Sequence, residues 1–92
     1  MITKHLKATT ELLPEERYAT TDLGLASALV AIGYELHTLE STANPKKVRF
    51  IFRRLHSLET NAHEYWNDDL ALNARTLFDA QKMIKNRLYS EE

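Results

Sequence analysis

The spacing of apolar side chains changes from helical to alternating near residue 33. Before that point, apolar residues recur mostly at helical intervals, and they are Leu25, Ala26, Leu29, Val30 and Ile32. Asp22 precedes this run, and its carboxylate can accept a hydrogen bond from an unpaired N–H of the first turn. Gly33 follows it and permits the left-handed backbone that ends many helices. The pattern therefore predicts a helix over residues 22–32.

Two strands are predicted after this helix, and a shorter one before it. Tyr34, Leu36 and Thr38 alternate with Glu35, His37 and Leu39, as in a strand with one buried face. A polar loop over 40–46 leads to the clearest alternation in the chain, in which Val48, Phe50 and Phe52 face one way and Lys47, Arg49, Ile51 and Arg53 the other. Such a short connection predicts an antiparallel hairpin. The β-prone residues 17–20 predict the additional strand.

The remainder of the chain is predicted to be helical. Ser57 is the expected cap of a helix whose apolar stripe consists of Leu58, Ala62, Tyr65 and Trp66, and residues 67–69 break it. Asn73 is the expected cap of a last helix with Leu77, Ala80, Gln81, Ile84 and Leu88 on one face and Phe78 and Met83 flanking. The order strand, helix, strand, strand, helix, helix predicts a two-layer α+β domain over residues 17–90, with the helices on one face of the sheet. Residues 1–16 are predicted to be an extension containing at most a helical turn.

Composition narrows the classes of protein that this chain can represent. Its 92 residues are 43% hydrophobic and contain only two glycines and two prolines, which fits one small globular core. The absence of cysteine excludes disulfides and cysteine-ligated metals. No apolar segment approaches the roughly 20 residues of a membrane span, so a cytoplasmic location is the default expectation. The net charge of -1 argues against binding of polyanions by bulk charge alone.

The charges are nevertheless unevenly distributed. Residues 1–45 hold three bases and six acids, whereas residues 46–54 hold five bases and no acid, namely Lys46, Lys47, Arg49, Arg53 and Arg54. Lys47, Arg49 and Arg53 share the strand face opposite Phe50 and Phe52, and residues two apart on one face lie about 6.6 to 6.8 Å from each other. This basic row, to which Lys46 and Arg54 are added as further candidates, is a candidate surface for a phosphate backbone. The alternative is a solvated face of an edge strand, where positive charge discourages sheet aggregation. Glu35 is a candidate to neutralise part of the row from across the hairpin.

Four further residues are candidates for contact with a protein. Trp66 and Asp68 lie where a helix meets a polar turn, and aromatic residues dominate interface hot spots. A single Trp on a helical stripe more often covers the core of a small domain, which is the favoured interpretation of Trp66. Leu39 and Ile51 are predicted on the otherwise polar sheet face, so pairing with a second copy of the chain through the hairpin edge stays open.

Signatures of catalysis are sparse, and we expect neither an enzyme nor a cofactor. His56 and His63 are seven residues apart, but no third ligand has a recognisable metal-site spacing. A metal-dependent enzyme that uses these histidines with Asp68 is the weakest hypothesis. The two glycines, Gly24 and Gly33, cannot form a phosphate-binding loop or a dinucleotide fingerprint.

One ordered set of residues extends over about four-fifths of the chain, from Tyr18 to Ser90. Its positions are Tyr18, Thr20, Asp22-Leu23, Leu25-Ala26, Leu29, Gly33 to Leu36, Phe50, Phe52, Leu58, Tyr65 to Asn67, Leu77-Phe78 and Leu88-Tyr89. In this set the chain resembles a family of small uncharacterised domains from bacteria, archaea and their viruses or mobile elements. The resemblance implies a compact prokaryotic or phage domain with the element order given above. The family carries no assigned activity, so no catalytic residue is implied.

Two functions from different classes follow from these features. The first is a non-enzymatic accessory protein that binds DNA or RNA through the basic hairpin strand. The alternative is a protein-binding inhibitor or adaptor that acts on host machinery through residues such as Trp66. The chain favours the first slightly, because the basic row is its most distinctive feature.

Overall fold

Three strands and three helices follow one another within residues 11–90, which are the residues that the computed structural model describes. The strands are Arg17–Thr20 (β1), Leu36–Ser41 (β2) and Val48–Arg53 (β3), and the helices are Leu23–Ile32 (α1), His56–Trp66 (α2) and Ala74–Ser90 (α3). The predicted α+β class and element order are confirmed. A 3₁₀ turn over Pro14–Glu16 precedes β1, as the extension was expected to allow, and the first ten residues of that extension lie outside the described residues.

The sheet has the strand order β1-β3-β2, and both pairs of strands are antiparallel. The predicted hairpin of β2 and β3 is therefore confirmed. The interpretation of β3 as an edge strand is wrong, because β1 pairs along its other side, with Tyr18 opposite Phe52. The amide of Arg54 continues this ladder by donating to the carbonyl of Glu16 at 2.7 Å. The basic strand is thus the centre of the sheet, and β1 and β2 are its edges.

A β-bulge in β2 changes which of its side chains face the core. Leu36 lies opposite Phe52, but Thr38 lies opposite Ile51, so the register shifts by one residue between them. An extra residue in one strand reverses the alternation beyond it. Leu39 consequently lies opposite Phe50 and packs against the core. The prediction of Leu39 on the polar face is wrong, because regular alternation does not include the bulge.

Arg87 of α3 holds the bulged end of β2. Its guanidinium donates to the carbonyl of Leu36 at 2.9 Å and to that of His37 at 3.3 Å. The planar fork of arginine suits two neighbouring acceptors of this kind. The contact joins residues about 50 positions apart in the chain, and it fixes the C-terminal part of α3 against the sheet.

Helix α1 is the centre of the hydrophobic core. Five consecutive residues of this helix are buried, namely Leu25, Ala26, Ser27, Ala28 and Leu29. It packs against α3, α2 and β1, and residues of all three helices share one apolar cluster with Phe50 and Phe52 of the sheet. A helix whose side chains are buried on every side has to contact other elements around its whole circumference. The sheet, α2 and α3 therefore surround α1.

The ends of α1 agree with the sequence prediction. The carboxylate of Asp22 accepts a hydrogen bond of 2.9 Å from the amide of Leu25. Gly33 has φ 130°, a conformation in which a side chain would be strained, and its amide donates to the carbonyls of Leu29 and Val30. Capping at one end and a permissive glycine at the other therefore define this helix locally.

Of the caps predicted for the later helices, one is confirmed and one is wrong. The side chain of Asn73 accepts hydrogen bonds from the amides of Arg75 and Thr76, as predicted. The predicted cap Ser57 is wrong, because α2 already begins at His56 and has Leu55 in the cap position, without a side-chain hydrogen bond. The Ser57 hydroxyl instead accepts a hydrogen bond of 2.9 Å from the hydroxyl of Tyr34. Asp68, with φ 61°, follows α2 in the predicted break.

Tyr65 fixes α2 against the first turn of α1. Its hydroxyl lies above Gly24, where a β-carbon would overlap it. Burial raises the pKa of Tyr65, and the charge of the nearby Asp22 carboxylate and a hydrogen bond to it raise that pKa further. The absence of a side chain at Gly24 therefore allows the tyrosine to reach the helix cap.

We expect Gly24→Ala to lower the free energy of unfolding by about 1 kcal/mol, because the new methyl group overpacks against the Tyr65 hydroxyl. In a Tyr65→Phe background, which removes that hydroxyl, the same change is expected to be neutral or to stabilise by up to about 1 kcal/mol through helix propensity. Urea unfolding of the four proteins in this double-mutant cycle measures the coupling. Equal effects of Gly24→Ala in both backgrounds would contradict the packing argument.

We expect Arg87→Met to lower the free energy of unfolding by about 2 kcal/mol, because hydrogen bonds from a charged donor to the two bulge carbonyls are lost. Arg87→Lys should lie between this variant and the wild type, since an ammonium group cannot reproduce the fork. Urea unfolding is again the measurement, with the exposed Lys85→Met as a matched control expected within about 0.5 kcal/mol of the wild type. An Arg87→Met protein as stable as this control would show that the contact contributes little.

Candidate nucleic-acid interface

The three arginines of the predicted basic row each have a carboxylate partner. Arg49 lies 3.5 Å from Glu40, Arg53 lies 3.9 Å from Glu16, and Arg54 lies 3.4 Å from Glu59. The neutralising residue is therefore not Glu35, which is exposed and forms no ion pair within residues 11–90. A phosphate that binds any of these three arginines therefore has to compete with the carboxylate that already pairs with it.

An ion pair joins the two edge strands across the polar face of the sheet. Arg17 of β1 lies 2.6 Å from Glu40 of β2. The register places Ile51 of the central strand midway along the diagonal between them, and Ile51 is only 1% exposed. The prediction that Ile51 and Leu39 form an exposed apolar pair is wrong, because Ile51 is covered on this face and Leu39 packs on the other.

Glu40 is the electrostatic centre of this face. Its hydrogen bond to Arg17 lowers the pKa of its carboxyl below the ordinary value of 4.5, with smaller contributions from the charges of Arg17 and Arg49. One carboxylate thus serves two arginines from different strands. The arrangement stabilises the sheet and reduces the positive potential that the sequence row suggested.

The remaining two residues of the row lie in the loop between β2 and β3. Lys46 and Lys47 are exposed, and neither has an ion-pair partner among the described residues. Thr42 organises the loop, because its hydroxyl donates to the carbonyls of Asn44 and Lys47. Since β3 begins at Val48, Lys47 does not extend the strand row. The predicted cluster is therefore divided into ion-paired arginines and two loop lysines without ion pairs.

A second basic surface lies on the outer side of α3. Phe78, Lys82, Lys85 and Tyr89 follow one another at spacings of four, three and four residues. In an α-helix these positions fall within about 60° of the circumference and span about 16 Å along the axis. We call these four residues the α3 stripe. They lie opposite the buried Ala80 and Ile84 of the same helix, so the stripe faces solvent.

Both aromatic rings of the α3 stripe are exposed. Phe78 is 58% exposed and Tyr89 is 70% exposed. Both lysines are also exposed, and within residues 11–90 neither has a carboxylate at ion-pair distance. Arg75 lies beside the stripe and is likewise without an ion pair among the described residues, whereas Asp79 lies farther round the helix. The stripe thus places two cations between two accessible rings.

Sequence reasoning missed this surface, although its signal is present in the chain. The predicted buried face of α3 is confirmed. Phe78, predicted at the flank of that face, instead shares an exposed face with Tyr89. The spacing i, i+4, i+7, i+11 from Phe78 to Tyr89 is the periodicity of one continuous helix face. Because the two central positions are lysines, the face does not stand out as an apolar stripe.

Trp66 is 61% exposed, so the interpretation that it covers the core is wrong. Tyr65 takes the inward position instead, and the two rings meet edge to face with centroids 5.0 Å apart. Trp66 lines a groove of about 360 Å³ between β1 and α2, together with Tyr18, His56, Glu59, Thr60, Ala62 and His63. Burial raises the pKa of Tyr18, and the nearby charge of Glu59 raises it further. Asp68 is exposed just beyond this groove.

The part of the chain that the structure describes contains neither a metal-binding cluster nor a membrane-spanning helix. His56 and His63 line the same groove, but the described residues contain no group of three or more His, Asp or Glu side chains arranged to hold a metal ion. None of the helices between residues 11 and 90 has the length and apolar character needed to cross a membrane.

The ion pairs of Glu40 make stability dependent on pH. Because folding lowers the pKa of Glu40, its contribution is complete above pH 4.5 and is lost as the pH falls through the lower pKa of the folded state. We expect Glu40→Gln to reduce the free energy of unfolding by about 0.5 to 1 kcal/mol at neutral pH and low salt, since the groups are partly exposed. Urea unfolding as a function of pH should show this difference shrinking toward zero in acid.

The matched control is Glu35→Gln, which removes an exposed carboxylate that has no ion pair within the described residues. Its difference from the wild type should not follow the profile of Glu40→Gln. A Glu40→Gln deficit that persists unchanged in acid would show that the ion pairs are not its cause.

The comparisons with known proteins place the chain in a family. No curated protein and no solved structure matches it. Residues 15–90 match the family described as a domain of unknown function (DUF5659), and this region contains all three strands and all three helices described above. The chain belongs to this family of uncharacterised domains.

Proposed function

We propose that this protein binds nucleic acid without catalysis and that the α3 stripe is its main contact surface. The observation that carries the proposal is a pair of exposed lysines, Lys82 and Lys85, which have no ion pair within residues 11–90 and lie between the exposed rings of Phe78 and Tyr89. Phosphate contacts supply most of the sequence-independent affinity of such proteins. Aromatic rings beside the cations add stacking surfaces for bases.

The charge of α3 supports this choice over the central strand. The helix carries four basic residues and one acid, Asp79. Among the described residues, no carboxylate pairs with Lys82 or Lys85, whereas Arg49, Arg53 and Arg54 have to leave one before they contact a phosphate. The exposed loop residues Lys46 and Lys47, also without an ion pair in that part of the chain, can add a peripheral contact. The basic hairpin therefore has a secondary role in this proposal.

The family resemblance supplies the cellular setting of the proposal. It implies a compact domain of a prokaryote, a phage or a mobile element and assigns it no activity. That the protein acts in the cytoplasm on DNA or RNA is part of the proposal. The sequence contains neither a recognisable metal-site spacing nor a phosphate-binding glycine loop. A binding function needs neither.

Exposure of Trp66 favours a second candidate function, which is binding to a host protein as an inhibitor or adaptor. A tryptophan at the mouth of a groove is a common anchor at protein interfaces. The exposed Asp68 places a carboxylate beside this region, in contrast to the cations of the α3 stripe, whereas Glu59 is paired with Arg54. The two candidates therefore use different surfaces, so substitutions at one surface leave the other intact.

We expect the double substitution Lys82→Gln and Lys85→Gln to weaken nucleic-acid binding and to reduce its salt dependence. The logarithm of the binding constant falls as the logarithm of the salt concentration rises, so the slope is negative. Each lost phosphate contact should reduce the size of this slope by about 0.7 for a single strand or about 0.9 for a duplex. The loss of two contacts thus predicts a decrease of about 1.4 to 1.8. Fluorescence anisotropy with labelled DNA and RNA, titrated at several salt concentrations from about 50 mM upward, measures both effects.

Two matched controls accompany this titration. Lys46→Gln with Lys47→Gln removes the same charge from the hairpin loop and is expected to have the smaller effect. Trp66→Ala removes the proposed protein anchor and should leave the nucleic-acid affinity unchanged. Absence of binding by the wild type at tens of micromolar, a concentration typical of non-specific complexes, would refute the proposed function. Equal losses from the two lysine pairs would refute the choice of surface.

A further inference from the structure

We infer that the nucleic acid bound by the α3 stripe is single-stranded and that its bases stack on Phe78 and Tyr89. This inference rests on the proposed function and specifies its ligand. The two rings are among the most exposed large apolar side chains of the described residues. Single-stranded nucleic acid has unstacked base faces, which can cover such rings and remove their apolar surface from water.

A duplex would use the same stripe less completely. Its base faces are covered by neighbouring base pairs, so a ring on the protein surface meets sugars and phosphates. The lysines would still attract the backbone, but the rings would remain without a stacking partner. Stacking distinguishes the two ligands because it requires accessible base faces, whereas attraction to phosphates does not.

The order of residues in the stripe also fits a single strand. The rings lie at its two ends, about 16 Å apart along the helix axis, and Lys82 and Lys85 lie between them. A flexible strand can place one base on each ring while the intervening phosphates pass the two ammonium groups. Asp79 lies about 60° round the helix from Lys82, at the side of this path, and Arg75 extends the positive surface beyond Phe78. One linear ligand therefore satisfies both the charge and the apolar surface of the stripe.

The decisive experiment compares ligands and ring variants in the same anisotropy assay. The probes are an oligothymidylate and an oligouridylate of about 20 nucleotides, a duplex of equal length, and vesicles of anionic phospholipid. We expect both single strands to bind more tightly than the duplex. Phe78→Ala and Tyr89→Ala should each weaken single-strand binding by about fivefold or more, with little effect on the duplex.

Met83→Ala is the matched control for these variants. Met83 is 42% exposed on the same helix but lies off the stripe, so its removal should not change the affinity. A protein in which Tyr89→Trp is combined with Trp66→Phe provides a direct readout of stacking. The fluorescence of this stripe tryptophan should be quenched by the single strands, whereas the emission of Trp66 in the wild type should not change.

The possible outcomes separate this inference from the proposed function. Duplex binding as tight as single-strand binding, with no effect of the ring variants, overturns the single-strand inference and leaves the proposed function in place. Binding of neither oligonucleotides nor duplex overturns both. Binding of the vesicles alone, weakened by the ring variants, would also overturn both, since it would identify the stripe as a membrane-surface contact.

Discussion

The fold depends on burial of the central residues of α1 on every side of the helix. This helix is only ten residues long, yet five consecutive positions from Leu25 to Leu29 are buried. A three-stranded sheet can cover one side of such a helix but not its whole circumference. Helices α2 and α3 supply the remaining cover, and each uses a narrow apolar face to do so. The outer surfaces of these two helices are therefore free to carry other chemistry.

Two groups of positive charges among the described residues differ in their partners. Those on the sheet are held by carboxylates, and Glu40 joins Arg17 and Arg49 over the buried side chain of Ile51. These pairs close a sheet face that the helices do not cover. The lysines on the outside of α3 have no such partners among the described residues. A segment rich in basic residues, such as 46–54, therefore does not have to be the surface with the most positive charge available to a ligand.

The same contrast applies to the aromatic residues. Tyr65 points inward to the cap of α1, where Gly24 leaves room for its hydroxyl, and its neighbour Trp66 is left exposed. Phe78 and Tyr89 lie on the outer side of α3, because the inner side is filled by smaller residues such as Ala80. Membership of an uncharacterised family assigns no role to any of these rings. The exposure of Phe78 and Tyr89 beside lysines that have no ion pair within residues 11–90 supports the proposed binding function.

Local signals were sufficient to predict several elements of this fold. Asp22 and Gly33 delimit α1, Asn73 caps α3, and alternation around Phe50 identifies the hairpin, because each of these signals acts within a few residues. Other features depend on contacts between distant segments. The central position of β3 depends on pairing with β1, which lies about 30 residues earlier in the chain. The inward face of Leu39 depends on a bulge held by Arg87, and the exposure of Trp66 depends on how α2 packs on α1. These outcomes require contacts between distant segments, and no local pattern of hydrophobic and polar residues encodes which distant segment will be the partner.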